Sequence, residues 1–234
     1  MVFAHIRSMN RHIPALTAFM LTVALFVTLF GNFLGAPLLS FAEEVKVIYL
    51  TFDDGPSDRV TPKILDVLKE ENVPATFFIV GNCAKTRRDI LKRAYDEGHT
   101  LAVHSYSHNY GTIYASAEAL IDDIEKCNEI ICSITGEYSS LYRFPGGSYT
   151  VSSELIKAVV SNGYRFINWN ASFCDSEIKN ATSEDLYDAA VATVANPHRI
   201  VMLAHDATDK LETVAALKQV IRHFKRLGYS FMKF

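Results

Sequence analysis

The sequence predicts an α/β fold, a distorted and incomplete (β/α) barrel of about seven parallel strands. Three observations predict it. From Glu44 onward, short runs rich in β-branched and aromatic residues alternate with stretches of helical periodicity. That βαβα order implies a mainly parallel sheet with helices packed outside it, and about seven such units point to a barrel that stops short of closure. Four polar clusters each follow a predicted strand, which in α/β barrels is the face where active sites form.

The strands are read at residues 45–52, 75–80, 99–103, 141–144, 164–169, 200–203 and 229–234. Helices fill the intervals. Ile64, Leu65 and Leu68 recur at helical spacing over 62–70, and a helix at 87–97 stops at Gly98. The longest spans 117–135: Ser116 can cap it, Leu120, Ile121, Ile124, Ile131 and Ile134 line one broad apolar face, and Gly136 ends it. Further helices are read at 153–161, from a cap at Thr182 to about residue 194, with Asp185 where a capping carboxylate sits, and at 211–227.

Residues 1–42 read differently. Arg7 and Arg11 precede an apolar stretch from Ile13 to Phe30 that continues less cleanly to Phe41. Ser40-Phe41-Ala42 then offers small residues at the two positions a signal peptidase reads. A cleaved signal peptide is favoured over an uncleaved membrane anchor, for which the stretch is also long enough. Both place residues 43–234, read as one domain, outside the cytoplasm. The formal net charge of -3, with no basic patch, gives no basis for a nucleic-acid partner. Cys83, Cys127, Cys132 and Cys174 could pair in an oxidising compartment. Cys127 and Cys132 should not pair with each other, because five helical residues set them about 140° apart. Free, mostly buried thiols are the alternative.

The polar clusters carry the chemistry. Thr51-Phe52-Asp53-Asp54-Gly55-Pro56 ends the first strand. Asp-Gly and Gly-Pro make turns, but two adjacent carboxylates can also divide roles, one coordinating a cation while the other works as a base. His104-Ser105-Tyr106-Ser107-His108 brings two imidazoles together on a turn or compact loop. Neutral imidazole ligates zinc and similar metals, although such a pair also arises as two hydrogen-bonded histidines. Two His and one Asp would leave coordination positions open for water and substrate, as catalytic metal sites do. In Arg143-Phe144-Pro145-Gly146-Gly147, the guanidinium can hold a carboxylate and the glycines let backbone approach a substrate; alone, the segment also reads as a surface Arg beside a turn. Leu203-Ala204-His205-Asp206 ends a strand with an imidazole suited to general-acid work, or to a satisfied core position.

In this order, TFDDG at 51–55, HSYSH at 104–108, RFPGG at 143–147 and LAH at 203–205 resemble the motifs of the polysaccharide deacetylases, the fourth carbohydrate esterase family or NodB-homology domain. The resemblance covers essentially all of residues 45–234. It implies that Asp53 is a general base and that Asp54, His104 and His108 hold a divalent metal, zinc first, with cobalt, nickel or manganese as alternatives. It further implies that Arg143 orients the base and that His205 is the general acid. The N–H of Gly146, beyond Pro145, would be the oxyanion donor. Gly147 and Trp169 would lie along the substrate, and Leu203 would line the acetyl pocket. The family's Asp-Trp pair falls on Asp175 and Ser176. Asp175 would position Arg143 or His205, and Ser176 removes an apolar wall of the pocket.

The activity implied is metal-assisted removal of acetyl groups from N-acetylglucosamine-type residues of a polysaccharide, peptidoglycan or chitin-like oligomers. Two alternatives stand beside it: an O-acetyl esterase acting on acetylxylan, and a catalytically silent glycan-binding homologue. The expected location is the cell envelope or beyond. The expected partner is an acetylated glycan, with membrane contact only through an uncleaved N-terminal segment.

Overall fold

Eight strands, β1 (Val47–Asp53), β2 (Thr76–Val80), β3 (Thr100–Ser105), β4 (Leu141–Tyr142), β5 (Arg165–Phe166), β6 (Ala171–Ser172), β7 (Arg199–His205) and β8 (Ser230–Met232), form one sheet in a computed structural model that describes residues 45–234. The expected leader and its cleavage site lie outside the described residues. The strand order is β5-β4-β3-β2-β1-β7-β6, and every ladder is parallel. β8 pairs with the first half of β1, on Val47, Ile48 and Tyr49, whereas β2 pairs with its last three residues. No ladder among the described residues joins β5 to β6, so the barrel is open there, as expected.

The helices are α1 (Thr61–Glu71), α2 (Gly81–Ala84), α3 (Arg88–Asp96), α4 (Tyr110–Ile113), α5 (Ala117–Thr135), α6 (Ser153–Ser161), α7 (Ser183–Ala192) and α8 (Leu211–Arg226). α2 and α4 are single turns, too short to leave a periodicity to read. The caps fall where the sequence puts them. Ser116 Oγ accepts from the N–H of Ala119, Gly136 closes α5 at φ 86°, and Thr182 and Asp185 form a reciprocal capping box on α7. Among the described residues no helix is long and apolar enough to cross a membrane.

Side chains alternate across the strands, and this splits the core in two. Ile48, Leu50, Phe52, Phe77 and Ile79 pack with Ile64, Leu65 and Leu68 of α1 and with Leu217, Val220 and Ile221 of α8. Phe78, Ala102 and Leu141 form a separate buried cluster with Ile167 and Phe234. A sheet buried on both faces carries continuous apolar runs, which is why Thr76–Val80 is buried at every position.

One strand departs from expectation. The run at 164–169 pairs only through Arg165 and Phe166, and the chain rejoins the sheet at Ala171 as β6. Asn170 joins the chain to β7 there: its backbone N–H donates to the carbonyl of Val201 at 3.1 Å, and its side chain accepts from the N–H of Val201 at 2.7 Å and donates to the carbonyl of Arg199 at 2.8 Å. All four cysteines are free thiols, and Cys127 is fully buried, donating to the carbonyl of Ile79.

Candidate active site

The carboxyl ends of the strands bring the polar clusters together. β1 and β7 run in register from Val47 beside Arg199 to Asp53 beside His205, so a carboxylate and an imidazole end adjacent strands. His104 lies on β3, and Arg143 directly follows β4.

Arg143 is completely buried, an unusual place for a guanidinium. Its Nη1 donates to Asp53 Oδ1 at 2.9 Å and to Thr51 Oγ1 at 2.8 Å, and its Nε donates to the carbonyl of Ile167 at 3.0 Å. Thr51 and Asp53 are two residues apart on one strand and so share a face. The guanidinium also lies over the Phe78 ring, 4.1 Å from its centroid. This fixes the Asp53 carboxylate with Oδ1 occupied. Its Oδ2 is turned toward His104 Nε2, 3.9 Å away.

Asp54, His104 and His108 converge, with one ligand atom from each lying within 4.8 Å of the others. Asp54 Oδ1 stands 3.5 Å from His104 Nε2 and 3.1 Å from His108 Nε2. The protonation of His104 tests whether a cation fits. Its Nδ1 lies 2.8 Å from the carbonyl of Arg143, which only accepts, so Nδ1 carries the proton. In the neutral ring Nε2 is then a lone pair aimed at a carboxylate whose buried Oδ1 receives no hydrogen bond. Acceptors facing one another suit a metal ion, and a carbonyl holding the second nitrogen is the usual support of a metal-binding histidine. The closeness of the three groups also couples their titration. Burial works against ionisation of Asp54, but the two histidines hold its carboxyl far below the usual range. The Asp54 carboxylate beside it raises His108 despite its partial burial.

Of the two roles the resemblance allowed Asp175, the geometry brings it to His205 and not to Arg143. Asp175 Oδ1 lies 2.6 Å from His205 Nδ1, and Oδ2 accepts from the N–H of His205 at 2.9 Å and from Thr213 Oγ1 at 2.7 Å. Burial alone would lower the imidazole, but the bond and charge of Asp175 outweigh it and push the group up to about 9. Ser176 also reaches the imidazole. Its hydroxyl lies 3.1 Å from the same Nδ1, a polar contact that the substitution pattern did not foretell.

Of the other expected site residues, Gly146 is exposed at φ 75°, and a Cβ there would stand 3.2 Å from Tyr110 Oη. Gly147 packs against the half-buried Trp169, where an added Cβ would meet the ring at 3.0 Å. Leu203 is 3% exposed. Pro145 is buried, and its carbonyl accepts from Tyr114 Oη at 2.8 Å, so it serves the loop more than the surface.

In the sequence Thr51 stands only as part of its motif, and Asp206 has no role. Asp206 is 1% exposed and accepts from Thr61 Oγ1 at 2.6 Å, while its backbone N–H donates to the carbonyl of Asp53 and its carbonyl accepts from Ser57 Oγ. Burial, reinforced by the charges of Asp54 and Asp53, pushes its carboxyl up to about 7. It lies so close under the Asp53–Gly55 turn that a Cβ on Gly55 would fall 1.9 Å from its Oδ2.

An open donor set beside one base-like and one acid-like group is the equipment of a metal-assisted hydrolase. The polysaccharide deacetylase family model matches residues 42–167. The peptidoglycan-N-acetylmuramic acid deacetylase PdaA of Bacillus subtilis is 35% identical over 187 residues, covering 80% of this chain and 69% of that protein. A peptidoglycan-N-acetylglucosamine deacetylase of Bacillus cereus is 30% identical over 201 residues, covering 84% and 72%. The catalytic domain of a peptidoglycan N-acetylglucosamine deacetylase from Eubacterium rectale superposes with a TM-score of 0.75 at 36% identity, over 81% of this chain and 88% of that one. The chain belongs to the polysaccharide deacetylase family.

Proposed function

We propose that this enzyme removes acetyl groups from N-acetylated sugars of peptidoglycan in the cell envelope. Asp53 is the base, Asp54, His104 and His108 hold a divalent cation, zinc by preference, and His205 is the acid. The observation that carries the reading is the convergence of those three donors beside a carboxylate and an imidazole that end neighbouring strands in register. The names of the relatives support the polymer, and a signal peptide or membrane anchor over residues 1–42 supports export of residues 43–234.

A bound cation would polarise the acetyl carbonyl and acidify the attacking water. Arg143 aims Asp53 by donating from Nη1 to its Oδ1. The proton from water goes to Asp53 Oδ2, the oxygen not taken by Arg143. The exposed Gly146 N–H donates to the oxyanion. His205 gives a proton from Nε2 to the departing amine, its Nδ1 being committed to Asp175. The products are acetate and the free amino sugar. The alternative of O-acetyl ester cleavage needs the same groups.

Acetate release from peptidoglycan, chitin oligomers and acetylxylan, with metal analysis of the same protein, tests the reading. Peptidoglycan is expected to be the best substrate, with stoichiometric metal that His104→Ala loses. Preference for acetylxylan would replace it with the esterase reading. No acetate with zinc, cobalt, nickel or manganese would leave a glycan-binding protein.

The acid makes a separate expectation. An acid works while protonated, so activity falls as pH rises through the pKa of His205. Asp175→Asn removes the charge that raises this pKa, so the alkaline limb of kcat/KM should move to lower pH. A limb that stays in place in Asp175→Asn would exclude His205 as the acid.

A further inference from the structure

Asp123 belongs to none of the motifs. It lies on α5 within the stripe formed by Leu120, Ile124, Cys127 and Ile131, and it is 7% exposed. A buried carboxylate is costly unless hydrogen bonds meet it, and here three donors do. Oδ1 accepts from Ser105 Oγ at 2.5 Å and from the N–H of Tyr106 at 2.7 Å, and Oδ2 accepts from the N–H of Ser107 at 2.9 Å. Ser105 Oγ in turn accepts from the N–H of His108 at 2.8 Å.

The loop needs such a hold. His108 sits at φ 53°, in the left-handed region that costs an L-residue roughly 1–2 kcal/mol. The loop borders a groove of about 670 Å³ lined in part by Lys85, Tyr106, Ser107, Asp122 and Lys126; Tyr106 is held further by packing against Gly81 and by the N–H of Asn82, which donates to its carbonyl at 2.9 Å. His104 has its own anchors, β3 and the carbonyl of Arg143. His108 has the chain of bonds that starts at Asp123.

We infer that Asp123 is a positioning residue for the metal centre: its carboxylate holds the 105–108 loop in the conformation that turns the His108 imidazole toward Asp54. This rests on the reading of Asp54, His104 and His108 as metal ligands. The chain of bonds sets an order of importance. Removing the carboxylate frees three donors, whereas removing the Ser105 hydroxyl frees only the His108 end.

The test is the dissociation constant of the full chain for Zn²⁺, and for Co²⁺ as a second probe, by competition with a chromophoric chelator. Asp123→Asn offers an amide where one carboxylate oxygen accepted and should weaken both ions by roughly 10–100-fold, as loss of a ligand's outer partner does. Ser105→Ala should weaken them by less, and it covers the case in which Asp123→Asn folds poorly. Ile124→Val, a buried methyl deletion one residue away, should lower Tm and leave the constants unchanged, separating loss of stability from loss of the site. Wild-type constants in Asp123→Asn, or in Ser105→Ala where Asp123→Asn does not fold, overturn the inference alone. A wild-type chain that binds neither ion overturns the ligand reading as well.

Discussion

Asp53→Asn is expected to lower kcat/KM for acetate release by about 10²–10⁴-fold, the usual contribution of a positioned base, while metal content stays at the wild-type level. Asn keeps the size of the side chain and an oxygen to accept from Arg143 Nη1, and Thr51 and Ile167 still receive the guanidinium. What it loses is the proton-accepting Oδ2. The three metal donors lie on other residues and should hold their ion. Acetate kinetics with metal analysis on the same preparation check this. Activity within a few-fold of wild type would remove Asp53 from the mechanism.

Arg143→Met should be more damaging to the fold than to any single contact. The guanidinium is completely buried and Asp53 is 3% exposed, so the substitution strands a carboxylate in a site with little water. Breaking a buried pair in this way costs roughly 3–5 kcal/mol, which for a domain of this size lowers Tm on the order of 10 °C. Activity should fall with it, because Asp53 loses the hydrogen bond that aims its carboxylate. The double variant Asp53→Asn/Arg143→Met separates the two effects: it leaves no unpaired charge and should regain much of the lost Tm while remaining inactive. A single variant that melts with the wild type would mean that the pair does not hold the site together.

Much of this was legible in the chain because the chemistry-bearing residues close β-strands, and strand ends can be found from composition. Thr182, Ser116 and Gly136 were readable for a similar reason: caps are local. The supports of the site were less so. Asp206 has no role to read in the sequence until its burial under Gly55 is seen, and the choice of Asp175 for His205 over Arg143 depends on where two distant loops meet. Asp123 left a faint signal, a carboxylate inside an apolar helical stripe, but periodicity cannot say what it faces. β6 escaped because two residues carry no pattern.

β1 is bonded along its full length to β7 on one side and, on the other, first to β8 and then to β2. Its amides should therefore be among those that exchange with solvent only when the whole domain opens, whereas loops can exchange through local fluctuations. Asp54 follows the end of that strand, and His108 ends a loop held by its bonds to Asp123 and Ser105. An ion held between them should be released first from the His108 side, so its residence time would be set by local opening of that segment and not by unfolding of the domain.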